Sequence, residues 1–399
     1  MLLRYGNEPD FVAAYYGALR AGGVVVAVAP DLGATAYASI LADAEPAVVL
    51  AGGPLGHAPA PAPPAVDLAV LQYTSGTTGR PKGAMMSHRN LVANALQNVR
   101  WFGWKEDEVN LAVLPLYHTW GMCTCLNSTL AVGGTVVLGE PAETLDLAAR
   151  HRVTVLYGSA TLFSRLLHEP ARDLPALRHV KVGAMLTQGD LKARWDARYG
   201  HAPMQQGYGL TEASPESHNN PPARFKPGTV GVPIQDTDCR IVDPADATRV
   251  LGAGVEGEVA LRGPQVSPGY WNGAPRGEWL LTGDIGVMDE DGYLKIVDRK
   301  KDMLKFRGYT VSPNAVETCL LQHAAVREAV VVGRRDDEDG EIPVAFVVAS
   351  EPVEEAALDG LCRQHLARWE RPRAYRFVDE IPKNAVGKPL RRVLRDRAN

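Results

Sequence analysis

Tyr73-Thr-Ser-Gly-Thr-Thr-Gly-Arg-Pro-Lys-Gly83 follows Leu68 to Tyr73, whose apolar residues predict a strand. Its glycines let backbone N–H groups approach an anion closely and take positive φ. Ser75, Thr77 and Thr78 can donate hydrogen bonds to phosphate oxygens, and Lys82 supplies a point charge. Ser87, just beyond, is placed to cap a helix running to about Arg100. A solvated Gly/Ser/Thr turn is the plainer reading, but this order between a strand and a helix favours a polyphosphate cradle. The segment does not fit G-x-x-x-x-G-K-[ST], so it is not the P-loop of nucleoside triphosphatases.

Outward from this loop, strands and helices alternate. Phe11 to Arg20 reads as an amphipathic helix ended by Gly22-Gly23. Val24 to Val28 and Ala47 to Leu50 read as strands buried on both faces, with a helix from Tyr37 to Ala44 between them. The Ala/Pro stretch Pro54 to Pro64 suits an extended linker. Leu111 to Leu114, Thr135 to Leu138 and Val153 to Tyr157 are further strands. This rhythm predicts an α/β protein of helix-covered, mostly parallel sheets.

After about Gly228 the pattern turns to short strands, Asp238 to Val242 and Glu258 to Arg262, and an Asp291-Gly292 hairpin. A β-rich subdomain over about 228–299 is expected. Beyond Asp298-Arg-Lys-Lys-Asp302 an α+β pattern begins, with Ser312-Pro313 opening a helix, strands over Val326–Val332 and Pro343–Val348, and a helix from Glu354 to Arg368. The expected division is a large unit over residues 1–299 and a small, mobile unit over 300–399.

Composition narrows the function classes. With 399 residues, 46% hydrophobic and 22% charged, the chain is neither disordered nor dependent on staples. Its 42 basic and 46 acidic side chains leave a net charge of −4, so nucleic acid is not an expected partner. Cys123, Cys125, Cys239, Cys319 and Cys362 lack metal-site spacing and read as reduced thiols. No apolar run nears the ~18 residues of a membrane span, and the first residues are polar too soon for a signal peptide. A cytoplasmic protein is expected.

Several motifs in order make the chain resemble the adenylate-forming superfamily, most closely its fatty-acid and aryl CoA ligases. They are the Tyr73–Gly83 loop, Leu114-Pro-Leu-Tyr-His118, Gln206-Gly-Tyr-Gly-Leu-Thr-Glu212, Leu281-Thr-Gly-Asp284, Asp298-Arg299 and Pro382-Lys-Asn-Ala-Val-Gly-Lys388. The resemblance implies ATP, Mg²⁺ and coenzyme A as reaction partners, with a small-molecule carboxylic acid as substrate. It implies that Thr74, Ser75, Gly76, Thr77, Thr78, Gly79 and Lys82 cradle the phosphates. Gly183-Ala184 and Gly207-Tyr208-Gly209 would hold adenine, with Tyr208 stacked on it. Thr211 would bond the α-phosphate, and Glu212 would hold Mg²⁺. Asp284 and Arg299 would bind the ribose, and Lys388 would bridge carboxylate and α-phosphate.

On the acid side, the resemblance makes His118 a gate beside the carboxylate, with Trp120, Gly121, Met122 and Gly183 lining the acyl pocket. It puts a hinge at Lys301. Rotation there would bring Lys305 and Gly308 to the thiol for the second half-reaction. Val182-Gly-Ala-Met185 departs from the Gly-Gly-(Ala)-Pro more usual at the adenine slot. The chain also starts almost at the Asn7–Pro30 segment. Missing layers would then expose apolar surface, which invites a homodimer. Two other readings stand beside CoA ligation: loading of a carrier-protein phosphopantetheine, and a weakly active relative that only binds.

Overall fold

The computed structural model describes residues 1–52, 67–75, 81–183, 190–336, 338–384 and 387–398. Among them, the largest sheet has seven strands, in the order Val232–Pro233, Glu216–Asn219, Met204–Gly209, His179–Gly183, Val155–Ser159, Val109–Ala112, Thr135–Leu138. The last five run parallel. Glu216–Asn219 turns back antiparallel on Met204–Gly209, and Val232–Pro233 pairs antiparallel with it in turn. Helix Ala160–His168 and helix Leu191–Arg198 cover one face, where Phe163 and Trp195 meet edge to face at 4.9 Å in a buried cluster. A helix buried on one stripe and a sheet buried on both faces is the α/β arrangement the alternating pattern predicts.

A smaller parallel sheet sets Leu2–Leu3 between Val26–Ala27 and Val49–Leu50. A bridge from Val25 to Val70 joins it to the antiparallel hairpin Leu68–Ser75 and Pro81–Ser87. The helix after the hairpin, His88–Phe102, starts as expected at Ser87. The Ser87 hydroxyl accepts from Asn90 N, and the Asn90 side chain accepts from Ser87 N. Tyr15, Phe11, Met86, Leu116 and Met122 form the core between the two sheets.

The expected strand over Ala47 to Leu50 is shorter than its sequence pattern. Only Val49–Leu50 pairs, and Val48 and Val49 are 44% and 43% exposed, so this is an edge strand rather than a doubly buried one. An apolar run carries no information about whether a neighbour pairs with it on the far side.

Asp238–Val242, Gly257–Arg262, Leu280–Met288 and Leu294–Arg299 form a four-stranded antiparallel sheet. The last strand leads into a fourth sheet built on the long antiparallel pair Val326–Asp336 and Gly340–Ala349. Tyr309–Val311 and Leu304–Phe306 extend it on one side, and Ala374–Phe377 runs parallel to Gly340–Ala349. Helices Pro313–Leu320, Glu355–His365 and Arg391–Ala398 complete this unit.

Two buried carboxylates fasten these last elements. Asp298 accepts from Ser312 Oγ (2.7 Å) and Asn314 N (2.9 Å), which holds the N-terminus of helix Pro313–Leu320 against the preceding strand. Glu317 pairs with Arg391 (2.6 Å), whose guanidinium also donates to Val331 O (2.6 Å). Charged pairs enclosed this way need every bond satisfied, and this one has backbone partners as well.

Candidate active site

The hairpin puts Thr74 opposite Lys82. The side chain of Ser75, and Gly76, Thr77, Thr78 and Gly79 with the intervening turn, lie outside the described residues, as does Ala184. The second arm of the hairpin is held from outside by the Gly269–Trp271 segment, through Met85 N to Gly269 O (2.9 Å) and Trp271 N to Gly83 O (2.8 Å). This brings Tyr270 to the site. Lys82 Nζ lies 5.7 Å from the centroid of the Tyr270 ring, and the Tyr270 hydroxyl donates to Glu212 Oε1 (2.5 Å). Burial, then the Glu212 carboxylate, pushes the Tyr270 phenol well up. It therefore stays a hydroxyl and a donor.

Glu212 and Thr211 belong to the short turn Thr211–Ala213, just after strand Met204–Gly209. That strand carries three predicted residues. A β-carbon on Gly209 would stand 2.0 Å from Pro215 O, so only glycine lets the returning strand close in. Gly207 packs on Lys181. Tyr208 points to the other side and donates its hydroxyl to Asp284 Oδ2 (2.6 Å). Burial and the neighbouring Asp284 hold this phenol protonated.

Asp284 is 3% exposed and shares its carboxylate between Tyr208 and Arg299, whose Nε lies 2.7 Å from Oδ1. The two residues sit directly opposite each other in register on neighbouring antiparallel strands. Arg299 also feels the charges of Glu212 and Asp302. Thus Tyr208, Asp284, Arg299, Glu212, Tyr270 and Lys82 form one connected polar group, drawn from five separate stretches of chain.

On its other flank stands the Leu114–His118 segment. Asn7 fixes it, donating to Ala112 O (2.9 Å) and Leu114 O (3.0 Å) and accepting from Leu116 N (2.8 Å). Gln72 Nε2 donates to Tyr117 O (3.0 Å). His118 Nδ1 accepts from Trp120 N (3.2 Å), which leaves the proton on Nε2. Burial first, and the charge of Lys388 second, push His118 down to about 4, so the imidazole is neutral at pH 7.

Trp120 opens the π-helical segment Trp120–Asn127. Its ring lies over Gly183, where a β-carbon would come within 2.9 Å of the ring edge. Gly121 is equally constrained, since a β-carbon there would meet Pro115 O at 2.3 Å. Met122 is fully buried in the core between the sheets.

Lys388 arrives from the far end of the chain. Its loop is closed by Lys388 N to Asn384 Oδ1 (2.8 Å), Asn384 N to Lys388 O (2.9 Å) and Gly387 N to Asn384 O (2.9 Å). The crowding of protein around the ammonium, then Arg299, pushes Lys388 down to about 8, while Asp284 and Asp302 oppose the shift. Solvent still reaches the residue. Lys388 therefore stands within electrostatic reach of His118 on one side and of Asp284 and Arg299 on the other.

Lys305 and Gly308 make their contacts elsewhere. Lys305 Nζ donates to Thr310 Oγ1 (2.5 Å) and Lys305 N to Glu341 Oε2 (3.1 Å). Gly308 (φ 82°) and Arg307 (φ 49°) make the tight turn of their hairpin, a conformation that suits glycine. Lys301 lies exposed in the turn between strand Leu294–Arg299 and the next. Its neighbour Lys300 is pinned by Glu258 Oε2 (2.8 Å).

The sequence reading missed Tyr270, Asn7, Ser159 and the ion pair of Lys181 with Glu216. Tyr270 and Asn7 carry no local signal. Lys181 did: a lysine between Val180 and Val182 in a buried strand demands a partner. Lys181 and Glu216 are 2% and 3% exposed, and their ammonium and carboxylate are in contact. Among the described residues no group of three or more metal-ligating side chains occurs. Among the same residues, no helix is long and apolar enough to cross a membrane.

With this geometry in place, comparison with known proteins is direct. The model of the AMP-binding enzyme family matches residues 2–60 and 51–271, and that of the AMP-binding enzyme C-terminal domain matches residues 315–388. A long-chain-fatty-acid–CoA ligase of Bacillus subtilis is 39% identical over 349 residues, covering 83% of this chain and 62% of the relative. The chain thus spans less than two thirds of that relative's length. Among solved structures, ATP-bound MatB from Rhodopseudomonas palustris superposes with a TM-score of 0.90 at 29% identity, covering 99% of this chain and 88% of that one. Apo MatB gives 0.76 at 30% identity, again over 99% and 88%. An anthranilate CoA ligase, AuaEII, in complex with anthranoyl-AMP gives 0.89 at 28% identity, over 100% and 87%. The chain belongs to the family of AMP-binding enzymes.

Proposed function

We propose that the protein is an ATP-dependent acid–CoA ligase. A carboxylate oxygen bonds to the α-phosphorus of ATP, the bond to the β-phosphate bridge breaks, and pyrophosphate leaves with the electron pair. The sulfur of CoA then bonds to the acyl carbon of the adenylate, the bond to AMP breaks, and the thiol proton is released. The observation that carries this reading is the convergence of Lys388 with the Asp284–Arg299 pair and a neutral His118.

An incoming carboxylate and a triphosphate repel each other, so cations must stand between them. Lys388 is the cation for the reacting oxygen and the α-phosphate. The Nε2–H of neutral His118 donates to the carboxylate without competing for its charge. Thr211 donates to the α-phosphate, and Lys82 with the hydroxyls of its loop takes the outer phosphates. Asp284 keeps lone pairs free for ribose hydroxyls, and Arg299 holds that carboxylate in place. Tyr208 and the Gly183 and Gly207–Gly209 backbones form the walls of the adenine slot. Trp120, Gly121, Met122 and Gly183 flank the acyl group. Glu212 would hold Mg²⁺, which when bound neutralises phosphate charge; one carboxylate plus substrate phosphates is an ordinary set for that ion.

For the second half-reaction, residues 300–399 turn against residues 1–299 about Lys301, and Lys305 and Gly308 replace the Lys388 loop. Such a hinge exchanges two discrete arrangements of one domain. The higher TM-score with ATP-bound than with apo MatB supports reading the present arrangement as the adenylating one.

Acid-dependent exchange of labelled pyrophosphate into ATP tests the first step, and thioester formation with free CoA tests the second. Exchange absent with every acid refutes ligation. Exchange without CoA turnover, rescued by a phosphopantetheinyl carrier protein, replaces CoA as acceptor. Sedimentation tests whether two copies pair.

A further inference from the structure

We propose that the Lys181–Glu216 ion pair closes the far end of the acyl pocket and makes this enzyme select a compact acid over a long alkyl one. The inference rests on the ligase reading above and names the substrate class of that site.

Strand geometry fixes where the pair stands. Residues two apart point to the same face, so Lys181 lies on the face where Gly183 meets the Trp120 ring. The second wall is strand Met204–Gly209, where a β-carbon on Gly207 would touch Lys181 Cε at 2.5 Å. The third is the Trp120–Asn127 segment, whose Cys123 and Cys125 both feel the charge of Glu216. Two walls assigned to the acyl group, and the strand that also walls the adenine slot, thus converge on one ammonium–carboxylate contact. A pair of strand residues spans about 7 Å. A tail that passes Gly183 by that distance meets the ion pair.

The surroundings do not suit a methylene chain. Glu216 Oε2 accepts from Asn219 Nδ2 (3.1 Å), and Lys181 Nζ lies 5.7 Å from the Tyr157 ring centroid. Among the described residues, the Tyr157 hydroxyl and Asn219 Oδ1 are buried without a hydrogen-bond partner. An alkyl tail threading further would have to separate opposite charges in a medium with almost no water, which is strongly unfavourable. An apolar pair of similar volume would hold the fold as well, so stability alone does not explain the charges. Burial pushes the Lys181 ammonium toward neutrality, and contact with Glu216 opposes that loss.

The test is acid-dependent pyrophosphate–ATP exchange over benzoate, hexanoate, dodecanoate and hexadecanoate. It uses the wild type and the double variant Lys181→Ser with Glu216→Leu, which removes both charges together. The wild type is expected to favour the compact acids by on the order of 100-fold in kcat/KM. The double variant, checked as folded by circular dichroism, is expected to gain at least about tenfold with dodecanoate. Wild-type exchange with hexadecanoate as fast as with hexanoate overturns the proposal and leaves the ligase reading standing. So does a folded double variant with an unchanged chain-length profile. Exchange with none of the acids removes the ligase reading, and this proposal with it.

Discussion

Gly387 rests on Ser159: a β-carbon on the glycine would stand 2.9 Å from the serine hydroxyl oxygen. Ser159 ends a strand of the seven-stranded sheet and caps helix Ala160–His168, its Oγ accepting from Leu162 N (3.3 Å). The glycine precedes Lys388 and has φ 80°, which a side chain strains in any surroundings. One contact therefore docks the loop of the proposed catalytic lysine onto the sheet that carries the acid-side residues.

Gly387→Val should misplace Lys388 and slow adenylation by about 10- to 100-fold, since small misplacements of a reacting group cost that much. Thioester formation from supplied acyl-adenylate and CoA should change far less. Single-turnover measurements of each half-reaction check this, and equal losses in both would count against loop docking.

Lys388→Ala should remove the cation between carboxylate and α-phosphate and lower acid-dependent exchange by about 10²–10³-fold. Pyrophosphate release at the wild-type rate in that variant would disprove the assignment.

The lowered basicity of Lys388 gives a pH signature. The ammonium is present below its shifted value of about 8 and is lost as pH rises through it. Adenylation kcat/KM, which reports the free enzyme, should therefore fall about tenfold per pH unit well above that value. Lys388→Arg should abolish this limb, because guanidinium stays charged there. A limb that persists in the arginine variant would point to another group.

Asp284→Ala leaves Arg299 without its 2.7 Å partner and Tyr208 without its acceptor. The KM for ATP should rise about 10- to 100-fold, the worth of a hydrogen bond to a charged group. Stability should fall by about 1–3 kcal/mol. An ATP titration and urea unfolding test the two effects separately.

Lys301→Pro should stiffen the turn between the large and small units. Thioester formation should suffer far more than adenylation, because the present arrangement is the one proposed to adenylate. Equal damage to both would refute a hinge at this residue.

Sequence alone was enough for whatever depends on neighbours along the chain. The Ser87 helix start, the Asp291-Gly292 turn and the α/β rhythm are local patterns, and the motif residues are contiguous letters whose order carries the family. Lys181 carried a local signal too, a charge between two valines, but the sequence reading passed over it. The sequence did not say that Val48 and Val49 lie at an exposed edge, because pairing partners are not written in a strand's own residues. Nor did it say that Tyr270 joins Lys82 to Glu212, that Tyr208 and Arg299 share one carboxylate, that Glu216 answers Lys181, or that Gly387 lands on Ser159. Each joins residues brought together only by sheet register and domain docking. Burial and charge act through space, so the folded chain alone determined which neighbours would shift His118 and Lys388.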